Sequence, residues 1–235
     1  MKRLRIFSLL AAAALLAAPF FTVAQPPNGP SKNSTALTAD KGTFRILVSG
    51  QPAGKEDFEI SQSGGGWTVR GNSEIQGIDG TTKVSGTLEL HADGTPSRYE
   101  WSTQGAKKAS AAIVFSGSTA TIELHLDGAR PYTQQFTFES SRVVVLDNNL
   151  YHQYIVLARL YDRDKGGLQT FPVLVPQELT PGMVTVESAG TQEIDGKKLE
   201  QLRVKSDDLE INLLLDGQRL VRIVAPGSNA EIVRQ

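Results

Sequence analysis

The sequence predicts a mainly β chain, a curved antiparallel sheet or half-barrel wrapped around one mid-chain helix, and three observations predict it. Apolar and polar residues alternate in short runs such as Trp67-Thr68-Val69-Arg70, Leu88-Glu89-Leu90 and Ile122-Glu123-Leu124, the period of a strand with one buried and one wet face. Asp-Gly, which tolerates the positive φ angles of tight hairpins, recurs at 79–80, 93–94, 127–128, 195–196 and 216–217. The stretch 143–167 breaks this pattern with apolar residues at helical spacing.

That stretch reads as a strand ending at Asp147 and then a helix of about fifteen residues, roughly 22 Å long. Asp147 is the expected N-cap, its carboxylate accepting from the free N–H groups of the first turn, and Gly166 and Gly167 supply the stop. Leu150, Tyr154, Leu157, Ala158 and Tyr161 share one face, while Tyr151, Ile155, Val156 and Leu160 spread apolar surface over most of the rest. His152 and Arg159 lead a narrow polar stripe, expected to face solvent. A helix this apolar needs more cover than a flat sheet gives, hence the expected curvature, with Tyr154 enclosed by the sheet.

Taken in order, residues 1–24 have the layout of a cleaved secretory leader: Lys2, Arg3 and Arg5, an apolar run from Ile6 to about Phe21, then small residues up to Ala24. Residues 25–41 are rich in Pro, Asn, Ser and Thr without a period, a flexible lead-in. Residues 42–235 form the expected single β-rich domain. Tight turns make sequence-adjacent strands antiparallel neighbours, a meander rather than parallel βαβ units. After the helix, the strand Thr170 to Val175 carries Pro172, which cannot donate to a ladder and so places the strand at an edge or bulge. Hairpins return from Met183 to the end.

Composition narrows the function. Without the three basic residues of the leader, 21 basic and 25 acidic residues remain, a formal charge of −4, so nucleic acid is not an expected partner. An exported chain with no cysteine has neither disulfide staples nor a thiol for a lipid anchor, so its stability rests on a packed core. No transmembrane span is expected once the leader is removed, and the localisation implied is periplasmic or secreted, in a bacterium. Asn33-Ser34-Thr35 fits a glycosylation sequon by chance.

No motif names a reaction. Glu89/His91 and Glu123/His125 are residue types that could ligate zinc, but in a meander their strands are first and fourth, about 14 Å apart, too far for one ion. Asp162 to Gly167 opens like a calcium loop, but its twelfth position is Val173 where a glutamate is needed. There is no nucleophile elbow and no phosphate-binding Gly-rich loop. No metal, cofactor or catalytic residue is therefore assigned.

The order of leader, opening strand with Gly50-Gln51-Pro52-Ala53-Gly54, Asp-Gly hairpins, helix after Asp147, Asp195-Gly196-Lys197 and the closing Asp216 to Ile223 resembles uncharacterised bacterial periplasmic β-proteins of an architecture similar to the outer-membrane lipoprotein carrier (LolA-like) half-barrel. The resemblance implies a sheet curled around helix, with an apolar concave face able to hold an acyl chain. It carries over no functional residue.

The function expected is a non-enzymatic envelope protein binding an apolar or lipid-like ligand in the concavity, with Trp101, Tyr151, Tyr154, Tyr161, His152 and Arg159 as candidate pocket residues. Two other readings stay open: an interaction module contacting another envelope protein through an exposed edge such as the Pro172 strand, and a hydrolase using His152 and Arg159.

Overall fold

The alternation seen in the sequence becomes strands whose inward positions are apolar. A computed structural model of the chain describes residues 37–78, 80–105, 108–207 and 209–235. The expected leader, most of the lead-in and the sequon lie outside the described residues.

Eight strands form the first half: β1 (Asp40–Val48), β2 (Gln51–Ser63), β3 (Gly66–Gly77), β4 (Gly80–Leu90), β5 (Pro96–Gln104), β6 (Ala109–Ser116), β7 (Thr119–Leu126) and β8 (Tyr132–Thr137). The two-residue β9 (Val144–Val145) and helix α1 (Gln153–Leu160) follow. The second half contains β10 (Gln169–Val175), β11 (Thr180–Ile194), β12 (Lys197–Lys205), β13 (Glu210–Asp216), β14 (Arg219–Ala225) and β15 (Ala230–Arg234). β1 starts at Asp40, slightly before the domain start expected at residue 42, and Leu37 ahead of it is already buried in the core.

All fifteen strands form one open curved sheet, in the order β8-β7-β6-β5-β4-β3-β2-β1-β15-β14-β13-β12-β11-β10-β9. The halves are joined by β1 and β15, the first and last strands, paired from Phe44↔Arg234 to Val48↔Ala230. Arg234 also bonds the Asp40 carboxylate through both terminal nitrogens. A twisted sheet of this width must curl, and register shifts at Ile46/Leu47, Glu89/Leu90, Ser188/Thr191 and Leu214/Leu215 are the places where strands bend most readily. The turn at Asp195-Gly196 has positive φ at both residues, 52° and 75°, the backbone of a two-residue hairpin whose twist matches its strands.

Three expectations are corrected. The sheet is not wholly antiparallel, because β9 runs parallel to β10. β10 is not an edge strand, since β9 lies outside it. β9 covers only Val173 and Leu174, so Pro172, with no N–H to donate, falls just beyond the covered pair. The edges are β8 and β9. The helix is also half the expected length: α1 has 8 residues, with His152 at its N-cap position. Asn149, at φ 63°, interrupts any helix begun at Asp147, and Tyr161 ends α1 in extended backbone, its N–H on the Leu157 carbonyl. Gly166 and Gly167 belong to a later turn, which the Asp162 carboxylate organises by accepting from the N–H groups of Asp164 and Lys165. β4 and β7 are separated by β5 and β6, which sets the two Glu-x-His pairs apart. Among the described residues no cluster of three or more metal-ligating acids or histidines occurs, and no helix is long and apolar enough to cross a membrane.

Candidate ligand-binding cavity

The segment from Leu146 to Tyr154 runs across the concave side of the sheet, and two strand glycines let it approach. Gly71 of β3 and Gly86 of β4 are direct cross-strand partners. A Cβ on Gly71 would collide with the His152 ring, and one on Gly86 would lie 2.6 Å from Leu150 Cδ1 and 2.9 Å from the Tyr99 hydroxyl. A glycine inside a strand marks such a close approach. That signal was present in the sequence and was missed there.

Glu56 of β2 fixes the descent into the helix. Its Oε2 accepts the backbone N–H groups of Tyr151 (2.9 Å) and His152 (3.1 Å), and its Oε1 lies 2.6 Å from His152 Nδ1. Both side chains are fully buried. The His152 ring also stacks on Phe58, centroids 6.4 Å apart. Glu56 thus satisfies backbone donors at the helix entry, the task expected of Asp147, from 96 residues away. A buried carboxylate survives in an apolar sheet because its oxygens are occupied by donors. Its phase with Phe58 and Ile60 was the available clue: Glu56 sits where the alternation calls for an apolar residue.

Asp147 has other partners. It accepts from the Tyr99 hydroxyl (2.9 Å), the Gln177 N–H (2.9 Å) and the Asn148 N–H (3.2 Å). Gln153 donates to the Tyr99 oxygen (3.2 Å) and accepts from the Asp147 N–H. Burial raises the Asp147 carboxyl to about 6, against the pull of the Gln177, Tyr99 and Asn148 hydrogen bonds. Burial foremost, then the neighbouring Asp147 charge, holds the Tyr99 phenol well above its ordinary range. Asn148 donates to Glu178 (2.8 Å) and accepts at its carbonyl from Gln177 (3.0 Å), tying the segment to the short 3-10 turn Pro176–Glu178.

On its other side the segment leaves space. A cavity of about 380 Å³ lies between Leu146–Tyr154 and the inner face of β10 to β15. Its walls are apolar, with Val184 from β11, Ile211 from β13, Ile223 from β14 and Ile232 from β15, and Tyr151 and Tyr154 opposite. The void has a local cause: Ala225 and Ala230 are cross-strand partners that both line it, and two methyl groups fill little of the space larger residues would. Polar groups come from Asp147, Asn148, Glu178, Thr180, Ser206 and Asp207.

Of the six residues proposed from sequence, Tyr151 and Tyr154 line this cavity, half-buried, with burial raising both phenols above their ordinary range. Tyr154 is therefore enclosed in part: it packs against the core and also borders the void. The other four are elsewhere. Tyr161 is buried, donating to the Gly167 carbonyl (2.9 Å) and accepting the Ser188 N–H (3.2 Å). Trp101, buried on β5, borders a second hollow of about 360 Å³ across β4 to β7, with Ser85, Glu100, Ser110 and His125. Arg159 bonds Thr38 (2.6 Å) and both the side chain and the carbonyl of Gln218, tying the helix to the β13–β14 turn. His152, expected in a wet stripe, is wholly buried on Glu56, so the two groups of the hydrolase reading occupy different environments and neither lines the cavity.

No family model matches the chain, and no curated protein matches it. Among solved structures the chain is similar to a β-barrel-like protein of a domain of unknown function, DUF1849, from Brucella abortus. The TM-score is 0.56 at 10% identity, covering 85% of this chain and 95% of the other. At that identity the likeness shows the fold alone, a β-rich, barrel-like sheet.

Proposed function

We propose that the protein is an exported, non-enzymatic component of a bacterial envelope that holds an apolar or lipid-like molecule between the 146–154 segment and β10 to β15. The observation that carries this reading is the cavity of about 380 Å³ with apolar walls and a few polar groups, within the size and character of small-molecule sites. The leader-like residues 1–24 support the location, and the resemblance to LolA-like half-barrels supports an apolar concave face able to hold such a molecule. The non-enzymatic part rests on the separation of His152 from Arg159 and on the occupation of Glu56 and Asp147 by hydrogen bonds within the fold.

Titration with N-phenyl-1-naphthylamine, a neutral apolar dye that fluoresces on leaving water, tests the reading. Binding of one dye per chain is expected, with loss of that binding in Ala225→Phe, whose ring would fill the void, at an unchanged melting temperature. Undiminished dye binding by folded Ala225→Phe would place the dye elsewhere and remove the support for this site.

A further inference from the structure

Resting on the reading of the cavity as a ligand site, we propose that its occupant is a single-chain amphiphile with a cationic headgroup, the chain between the isoleucine and valine walls and the cation at the acidic rim. The lining includes three acidic residues, Asp147, Glu178 and Asp207, and, among the described residues, no lysine, arginine or histidine. The basic residues leading into the β12–β13 turn are already matched: Arg203 to Glu187 and Glu210, Lys205 to Glu210. Glu178 meets Asn148, a neutral partner, and neither Glu178 nor Asp207 has an ion-pair partner among the described residues.

Negative groups beside a low-dielectric cavity attract a cation and repel an anion more strongly than the same charges in open water. A fatty acid or sulfated lipid entering tail-first would bring its charge against Glu178 and Asp207, whereas an alkylammonium would find there the counter-charges that the protein leaves unmatched. Tyr151 and Tyr154 add aromatic surface at the segment side of the same space, and aromatic faces favour alkylated ammonium groups.

Displacement of N-phenyl-1-naphthylamine from the full mature chain at low salt, below micelle-forming concentrations, tests this with two probes that share a chain length: dodecyltrimethylammonium and laurate. The ammonium should displace the dye at least about tenfold more tightly than laurate, the order expected when a charge meets like or opposite carboxylates at a few ångströms. Glu178→Gln combined with Asp207→Asn should narrow that ratio several-fold, because the amide still accepts from Asn148 while the charge is gone. Glu59→Gln with Glu89→Gln, equal in charge but on exposed strand positions, should leave it unchanged. Laurate binding as tightly as the ammonium, or equal narrowing by the distant pair, would overturn the cationic preference while leaving the cavity reading intact. Failure of the dye itself to bind would overturn both.

Discussion

The two halves of the sheet meet the same nine-residue segment in different ways. β2 to β5 grip it: Glu56 holds two backbone N–H groups and the His152 ring, Tyr99 holds Asp147, and Gly71 and Gly86 remove the side chains that would keep it away. The second half meets the segment near its start, through the Leu146 N–H on the Leu174 carbonyl and the bonds of Gln177 and Glu178, but beyond that the small pair Ala225/Ala230 leaves a cavity between. Both halves are built from the same period-two pattern. The difference lies in a few inward positions, where one half carries buried polar partners and glycine and the other carries alanine. A curved sheet can thus clamp its internal segment on one side and leave a cavity on the other without any change of architecture.

The comparison breaks most completely if the grip is removed. Glu56→Ala strands the buried N–H groups of Tyr151 and His152 and the Nδ1 side of the imidazole, a loss expected to cost about 3–5 kcal/mol, measured as a shift in the urea midpoint. A cost below about 1 kcal/mol would mean that the segment is not held from β2.

Asp147 sharpens the same point through pH. Burial raises its carboxyl from the usual 3.8 to about 6, so the folded protein binds this proton more tightly than the unfolded chain does. Its contribution to stability is therefore fully present below about pH 3.8 and is lost as pH rises through about 6, a difference on the order of 3 kcal/mol. In Asp147→Asn that component should vanish. Urea melts of variant and wild type between pH 3.5 and 7.5 should diverge by this amount, with wild type losing relative stability as pH increases.

Single additions of bulk separate the halves directly. Gly86→Ala adds one methyl group against Leu150 and Tyr99 and should cost about 1–3 kcal/mol through overpacking. Ala225→Leu adds three carbons on the other side and should cost less than about 1 kcal/mol, because the cavity receives them. The reverse order in thermal melts would place the loose packing in the wrong half.

The smallest effects belong to the outward face. Glu89 and Glu123 are exposed on β4 and β7, so Glu89→Ala and Glu123→Ala should each stay within about 0.5 kcal/mol of wild type. A larger change in either would show that its strand face is not wet.

What the sequence by itself determined was local. Alternation and Asp-Gly pairs mark strands and hairpins because side-chain direction and turn φ angles depend on adjacent residues, and they marked the strand-rich stretches on both sides, while the run into Asp147 read as the strand that is β9 and the single interruption followed it. Tyr151 and Tyr154 were legible for the same reason, as aromatics on that interruption. The tertiary structure decided what distant residues do to one another. Asp147 looked like a helix cap until Tyr99, 48 residues earlier, and Gln177, 30 residues later, occupied its carboxylate. His152 looked wet until Glu56, 96 residues away, lay against it. The cavity is less local still, since it is volume left between inward side chains of the second half and a segment whose course is fixed largely from the first half. No periodicity encodes such a volume, because it depends on how closely two surfaces approach, and here Gly71 and Gly86 set that distance from the far side.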